Sequence, residues 1–243
     1  IFYYFIILLL NICFMKKNSK IISKPKDAST VIIIKKIKKN YLVLMGKRPL
    51  SSRFMPGVYV FPGGRVEKED IQANKVFKLK SKLSKKALKA QSYNHTIALL
   101  LAAIRETSEE TGLYLINKKE SAKKYPEIIE STWEYYLKKS YEPNIKKLYF
   151  FGRAITPSFL KTRFHARFFI ANFDNFIGSI RTNGELEDIS WVNIKDAKKL
   201  PIADVTDFLI KRLIDLNKDN LFIDTGAYPI FTRKNNKKWI KWD

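Results

Sequence analysis

Apolar positions along the chain follow two rhythms. Short β-branched or apolar runs cover Thr30 to Ile34 and Tyr41 to Met45, and the polar KKIKKN between them suggests a hairpin-like connection. Val58 to Phe61 is a third short strand, set between the breakers Pro56-Gly57 and Pro62-Gly63-Gly64. Ile97 to Thr111 changes to helical spacing, with Ile97, Leu100, Leu101 and Ile104 on one side and Gly112 as its C-terminal stop. A further helix is predicted from Glu127 to Lys139. Strands follow at Leu148 to Ile155, Phe164 to Ala171 and Ile189 to Val192, and a last helix at Val205 to Leu216. Residues 71–95 carry Val76, Phe77, Leu79, Leu83, Ala87 and Leu88 at mixed spacing among lysines, which reads as a helical, mostly exposed insertion. There is no internal repeat. Strands and helices without strict alternation predict an α+β sandwich.

Composition narrows the class. A chain of 243 residues with 46% hydrophobic and 14% aromatic content has the material for a real core and excludes intrinsic disorder. The single cysteine, Cys13, excludes an internal disulfide and fits a reducing compartment, so a cytoplasmic location is expected. The net charge is +23, with Lys-Lys pairs scattered along the whole chain. Such scatter reads as a solvated surface rather than a nucleic-acid stripe, and its field would still draw in an anionic substrate.

Residues 1–14 are uncharged and almost wholly apolar. A spanning helix needs about 20 such residues, and a signal peptide would carry basic residues before the run and small residues after it. Met15-Lys16-Lys17-Asn18 resembles an ordinary start, so the leader is read as upstream translated sequence. A membrane anchor is the alternative. Residues 1–28 are therefore set apart as an apolar and Lys-rich leader, 29–217 as the folded domain with its insertion at about 71–96, and 218–243 as a C-terminal extension.

The chemistry concentrates in Arg105-Glu106-Thr107-Ser108-Glu109-Glu110-Thr111-Gly112-Leu113. Glu106, Glu109 and Glu110 stand at i, i+3 and i+4 and share one helix face. Three carboxylates so close repel one another and oppose the macrodipole at the helix C-terminus. A hard divalent cation, Mg²⁺ or Mn²⁺, would compensate them. A solvated acidic face is the plainer reading. Phe61-Pro62-Gly63-Gly64-Arg65-Val66-Glu67 adds a turn whose glycines let backbone approach a ligand or helix closely.

Together these segments resemble the Nudix box, G-x5-E-x7-R-E-U-x-E-E-x-G-U, where U is aliphatic. Gly64 takes the first position, and Arg105, Glu106, Glu109, Glu110, Gly112 and Leu113 match the second half. Asp70 falls where the family has Glu, and Thr107 replaces an aliphatic residue. Between Asp70 and Arg105 lie 34 residues in place of seven, an insertion of 27. It can loop out at small entropic cost, but it leaves the Asp70 position open to Glu67 or Glu69. Arg53 to Gly64 is similar to the coenzyme A diphosphatase-like branch, whose box is also split. So are Ala154-Ile155-Thr156-Pro157, Arg163 to Phe169, and the Glu-rich stretch from Glu185 to Trp191. The resemblance spans roughly residues 30–210.

The resemblance implies a Nudix fold, a mixed β-sheet sandwich flanked by helices. It also implies hydrolysis of a nucleoside-diphosphate derivative with Mg²⁺ or Mn²⁺, with coenzyme A or an acyl-coenzyme A the first substrate expected. ADP-ribose, a dinucleotide, capped RNA or a non-catalytic nucleotide-binding module are the alternatives. Glu106, Glu109 and Glu110 would hold the metal together with Glu187, Glu106 or Glu109 would take the catalytic role, and Glu187 and Glu185 are the candidate bases outside the box. Arg105 would orient a Glu through a charge-assisted hydrogen bond. Gly63, Gly64, Arg53 and Arg163 would meet substrate, with Arg48 and Arg167 as further cations. His165 is expected to be structural, His95 a loop residue and Cys13 no nucleophile. Tyr59, Phe61, Phe164, Phe168 and Phe169 are expected in the core rather than stacked on adenine. The expected partner is a small nucleotide diphosphate, not nucleic acid, and a membrane only if residues 1–14 belong to the native protein.

Overall fold

The computed structural model describes residues 23–118, 132–216, 221–223, 226–234 and 237–242. The leader segment 1–22 and the first part of the helix expected at Glu127 to Lys139 lie outside them. Strand β1 runs Lys26–Ile37, and β2 runs Asn40–Lys47. They form the expected antiparallel hairpin, with Ile34 opposite Val43. Lys26 to Ala28 thus belong to a strand and not to a leader. Two short strands follow, β3 (Tyr59–Val60) and β4 (Gly63–Arg65), which pair with β2 and β1.

Three helices come next: α1 (Lys68–Phe77), α2 (Lys85–Leu88) and α3 (Tyr93–Thr111). The Ser92 side chain accepts the His95 N–H at the start of α3, and Gly112, at φ 71°, ends the helix in the left-handed region. Beyond it are β5 (Leu113–Lys118), α4 (Thr132–Lys138), β6 (Tyr141–Pro143), β7 (Tyr149–Ile155), β8 (Phe164–Asn172), β9 (Phe176–Gly178) and β10 (Glu187–Asn193). The chain ends with α5 (Asp204–Asp215), β11 (Pro229–Lys234) and β12 (Lys237–Trp242).

A mixed sheet of order β10-β2-β1-β8-β7-β11-β12 carries the fold, and β6-β5-β9 form a smaller second sheet. β1 and β8 run parallel while β7 and β8 run antiparallel. Alternate residues of β1 enter opposite cores. Val31 and Ile33 pack with Leu100, Ile104 and Trp133 beneath α3, and Ile32 and Ile34 pack with Leu209, Ile210 and Leu213 beneath α5. This is the α+β sheet with flanking helices that the sequence predicts. Among the described residues, no helix is long and apolar enough to cross a membrane.

The insertion differs from expectation. Ala73, Phe77 and Leu88 are buried in the α3 core rather than exposed. Arg167, 1% exposed, fastens the insertion to the sheet by donating to the carbonyls of Leu88 (3.0 Å) and Lys89 (3.2 Å) and pairing with Asp27. His95, read as a loop residue, lies in the first turn of α3, and its Nε2 stands 3.2 Å from Asp27. The C-terminal extension is also built into the sheet, where β11 pairs parallel to β7 through Ile230 and Arg153.

Candidate active site

The carboxylates of α3 do not act as one set. Glu106 and Glu110 point with Glu185 toward a common point, each offering an oxygen, and these atoms all lie within 4.8 Å of one another. Glu110 is 3% exposed and accepts the Gly63 N–H at 2.8 Å. Glu109 is held differently: Oε2 takes Arg105 at 2.9 Å and Oε1 takes the Thr132 hydroxyl at 2.6 Å.

Arg105 organises the box. It is 3% exposed and donates through Nε and a terminal nitrogen to both oxygens of Asp70, at 2.9 and 3.1 Å. The other contacts of its guanidinium are Glu109, the Arg65 carbonyl (2.9 Å) and Glu106 (3.0 Å). Asp70 is fully buried and also accepts the Glu67 N–H at 2.9 Å, which closes the first turn of α1. A buried carboxylate with three donors is well satisfied, so Asp70 is an anchor for Arg105. Glu69, 3.4 Å from Arg105, is more distant and less buried, and Glu67 pairs with Arg65 at 2.9 Å.

Gly64 passes close over α3. Any side chain there would overlap the Glu106 carboxylate. At Gly63 a side chain would collide with the Ser29 and Thr30 backbone, because β4 lies against β1 with Gly64 opposite Ser29. The double glycine therefore lets the loop pass directly over the acidic face of α3.

Burial dominates the electrostatics. It pushes the Glu106 carboxyl up to about 7, with Arg105 opposing and the charges of Glu109 and Glu185 adding to the rise. Glu110 is pushed well up by burial too, against the pull of the Gly63 N–H, and Glu106 and Glu185 raise it further. Arg105 stays charged: burial disfavours the cation, but Asp70, Glu106 and Glu109 outweigh that cost. Crowded carboxylates that resist ionising in the bare protein are suited to a hard cation, and the donor set is entirely oxygen. The residues fit a divalent metal, and Glu106, Glu110 and Glu185 would hold it.

The carboxylates open onto a cavity of about 840 Å³. Arg48, Arg65, Arg105 and Arg233 are its cationic lining residues, and Phe54, Phe159, Phe164, Phe168 and Phe231 supply an aromatic wall. Phe54 and Phe164 meet edge to face at 5.2 Å. Phe61, Phe168 and Phe169 are buried as expected, but Phe61, Phe164 and Phe168 also face the cavity, so core and wall are one surface here.

Several expected site residues stand elsewhere. Glu187 lies on β10 opposite Lys47 and does not line the cavity; Glu185, two residues earlier, does. Arg163 spends its donors on the carbonyls of Thr156 (3.0 Å) and Ser23 (2.7 Å), and Arg53 is exposed, so neither lines the cavity. Gly63 and Gly64 line it as expected. His165 is structural, 3.3 Å from Arg153 and with its pKa lowered to about 3, chiefly by burial and then by Arg167 and Arg153. Arg233 carries no signal in the sequence, because the sheet brings it in from β11.

The architecture can be set beside known proteins. A Nudix hydrolase from Alicyclobacillus acidocaldarius superposes with a TM-score of 0.63 at 22% identity, over 81% of this chain and 95% of that one. A MutT protein from Bacillus halodurans covers 90% of this chain and 97% of its own, at 14% identity and a TM-score of 0.48. A comparison with curated proteins gives no match. The first superposition establishes the fold. The NUDT19 Nudix domain family matches residues 19–203, a span that contains β1, the Gly63-Gly64 turn, the whole of α3 and Glu185. That span is most of the chain, and the chain belongs to the NUDT19 Nudix domain family of Nudix hydrolases.

Proposed function

We propose that the protein hydrolyses the diphosphate linkage of a nucleoside-diphosphate derivative with a divalent cation, Mg²⁺ or Mn²⁺, and that coenzyme A or an acyl-coenzyme A is its substrate. The observation that carries this reading is the convergence of Glu106, Glu110 and Glu185 at the head of a large cavity. A divalent cation supplies charge neutralisation at the phosphates and a more acidic water. The chain's own residues do the rest. Arg105 fixes Glu106 and Glu109, and the Gly63 N–H fixes Glu110, so the acidic face is preorganised before substrate arrives. Arg48 and Arg65 line the cavity with the carboxylates and can take phosphate oxygens. Glu185, exposed and outside α3, brings the third carboxylate to the same point.

The aromatic wall favours a substrate with an apolar or planar arm on the diphosphate. Dinucleotides and ADP-ribose are the alternatives left open by the sequence and belong in the test. Coenzyme A, acetyl-coenzyme A, ADP-ribose, NADH and capped RNA are incubated with Mg²⁺ or Mn²⁺, beside a Glu110→Gln control. Release of a phosphopantetheine product by the wild type alone supports the proposal. Turnover confined to another member overturns the substrate. Equal, metal-independent results for both proteins overturn the mechanism.

A further inference from the structure

The cavity floor can be followed strand by strand. Ala28 of β1 stands beside Ala166 of β8, Ala166 beside Ala154 of β7, and Ala154 beside Phe231 of β11. All four line the cavity. Three small side chains in one row keep the floor low, and the row crosses three strand spacings, about 14 Å at roughly 4.8 Å each. Its first end adjoins the Gly63-Gly64 turn, since β4 pairs with β1 at Ala28 and Ser29. Its other end is the C-terminal hairpin, residues 229–242, beyond the span matched by the Nudix family.

Phe231 and Arg233 are two apart on β11 and share a face. Arg233 is paired across the hairpin with Lys238. Both cations meet one carboxylate, Asp204, at 3.1 and 3.0 Å. Asp207 lies 4.0 Å from Lys238 and is already engaged by Lys211 at 2.6 Å. Among the described residues, three cations thus face two carboxylates, an excess of positive charge at the rim. Asp204 also steadies the guanidinium, whose fork leaves further donors for a second acceptor.

We propose that Arg233 and Lys238 form an anion subsite at the far end of the cavity, which takes a phosphate monoester carried on the ribose of the substrate. This rests on the diphosphatase reading above and adds a specificity element to it. The diphosphate lies at the carboxylate end, the nucleoside lies along the alanine floor against Phe54, Phe164 and Phe231, and its extra phosphate reaches the hairpin. The preferred substrates are then diphosphates whose nucleoside bears a 2′- or 3′-phosphate.

Two measurements on the full chain separate the subsite from the reaction. The first is calorimetric binding of AMP, adenosine 2′,5′-bisphosphate and adenosine 3′,5′-bisphosphate without metal. The wild type is expected to bind one bisphosphate about tenfold more tightly than AMP, and Arg233→Gln or Lys238→Gln to bring that ratio to about twofold or less. The isomer preferred shows which ribose oxygen carries the phosphate. The second is hydrolysis of matched pairs, coenzyme A with 3′-dephospho-coenzyme A and NADPH with NADH. The preference within a pair is expected to lie in KM and to collapse in the same variants. If no pair is hydrolysed, the coenzyme A reading fails, and the binding ratio still decides the subsite. Asp204→Asn keeps both cations and an oxygen that can still accept from Arg233, removes only the competing negative charge, and is expected to preserve or raise the ratio. A wild-type ratio near one, a ratio unmoved by Arg233→Gln, or an equal collapse in Asp204→Asn overturns the proposal.

Discussion

Arg105 and Asp70 stand 35 positions apart in the chain and meet in a buried two-pronged ion pair, at 2.9 and 3.1 Å. The pair ties the start of α1 to the middle of α3. Helices α1 and α2 fill the gap between the two residues, and the pair returns α1 to the α3 face that holds Glu106 and Glu110. Asp70→Ala is expected to leave the guanidinium buried with fewer partners and to cost about 3–5 kcal/mol. Urea unfolding measures it. A change below about 1 kcal/mol would show that Asp70 is not the anchor.

Gly64→Ala tests the close passage of the loop over α3. Its methyl group would overlap the Glu106 carboxylate, so either the loop or the acid must move. A displacement near 1 Å at a reacting centre costs about 100-fold in rate. The variant is expected to keep its circular dichroism spectrum and lose turnover on that scale. Unchanged kcat would mean that the Glu106 position is not needed for the reaction.

The sequence makes some of this legible and hides the rest for physical reasons. Helix α3 is readable because a long apolar run is ended by Gly112, although Ile97 to Ile104 are buried on every side rather than on the one face expected. The acidic face is readable because i, i+3 and i+4 are neighbours on any helix. The burial of the insertion is not, since Ala73, Phe77 and Leu88 are held in place by α3 and by Arg167, which comes from β8. Glu185 lies just before β10, whose first residues are irregular. Asp188 has φ 47°, and the β10–β2 register shifts between Glu187 and Ser190. No side-chain pattern reports such a shift. β12 is exposed along its whole length and shows no alternation, so the hairpin that carries Arg233 to the cavity is silent in the sequence.

The raised Glu106 pKa gives the metal-free protein a defined pH response. Its ordinary value is 4.5 and its folded value about 7, so the folded state binds the proton more tightly. The associated stability is fully present below 4.5 and is lost as pH rises through about 7. Burial moves Glu110 in the same direction. The expected loss is roughly 3 kcal/mol, measured by urea unfolding in a chelator across that range. Stability that rises over the same interval would contradict the crowded-carboxylate reading.

Arg167→Met tests the clamp on the insertion. The variant keeps the length and apolar stem but removes the donors to Leu88 and Lys89 and the charge beside Asp27. Breaking one side of a buried pair costs about 3–5 kcal/mol. Hydrogen exchange is expected to accelerate first in residues 85–96, ahead of the β1–β2 hairpin. Uniform acceleration would show that Arg167 supports the whole sheet rather than the insertion.

Glu110→Gln separates charge from shape at the centre of the site. Glutamine can still accept the Gly63 N–H through its amide oxygen, so the turn should hold its place. What disappears is one of three converging negative charges. Two opposite effects follow. The metal-free variant is expected to melt higher than the wild type, because a neutral amide replaces a carboxyl whose ionisation is opposed by burial first and by Glu106 and Glu185 after it. Mg²⁺ or Mn²⁺ is expected to raise the wild-type melting temperature and to do little for the variant, since binding to the native state alone is what stabilises it. Turnover should fall about 100-fold or more as charge stabilisation is lost. Equal melting shifts with metal in both proteins would move the cation away from Glu110, whatever the activity shows.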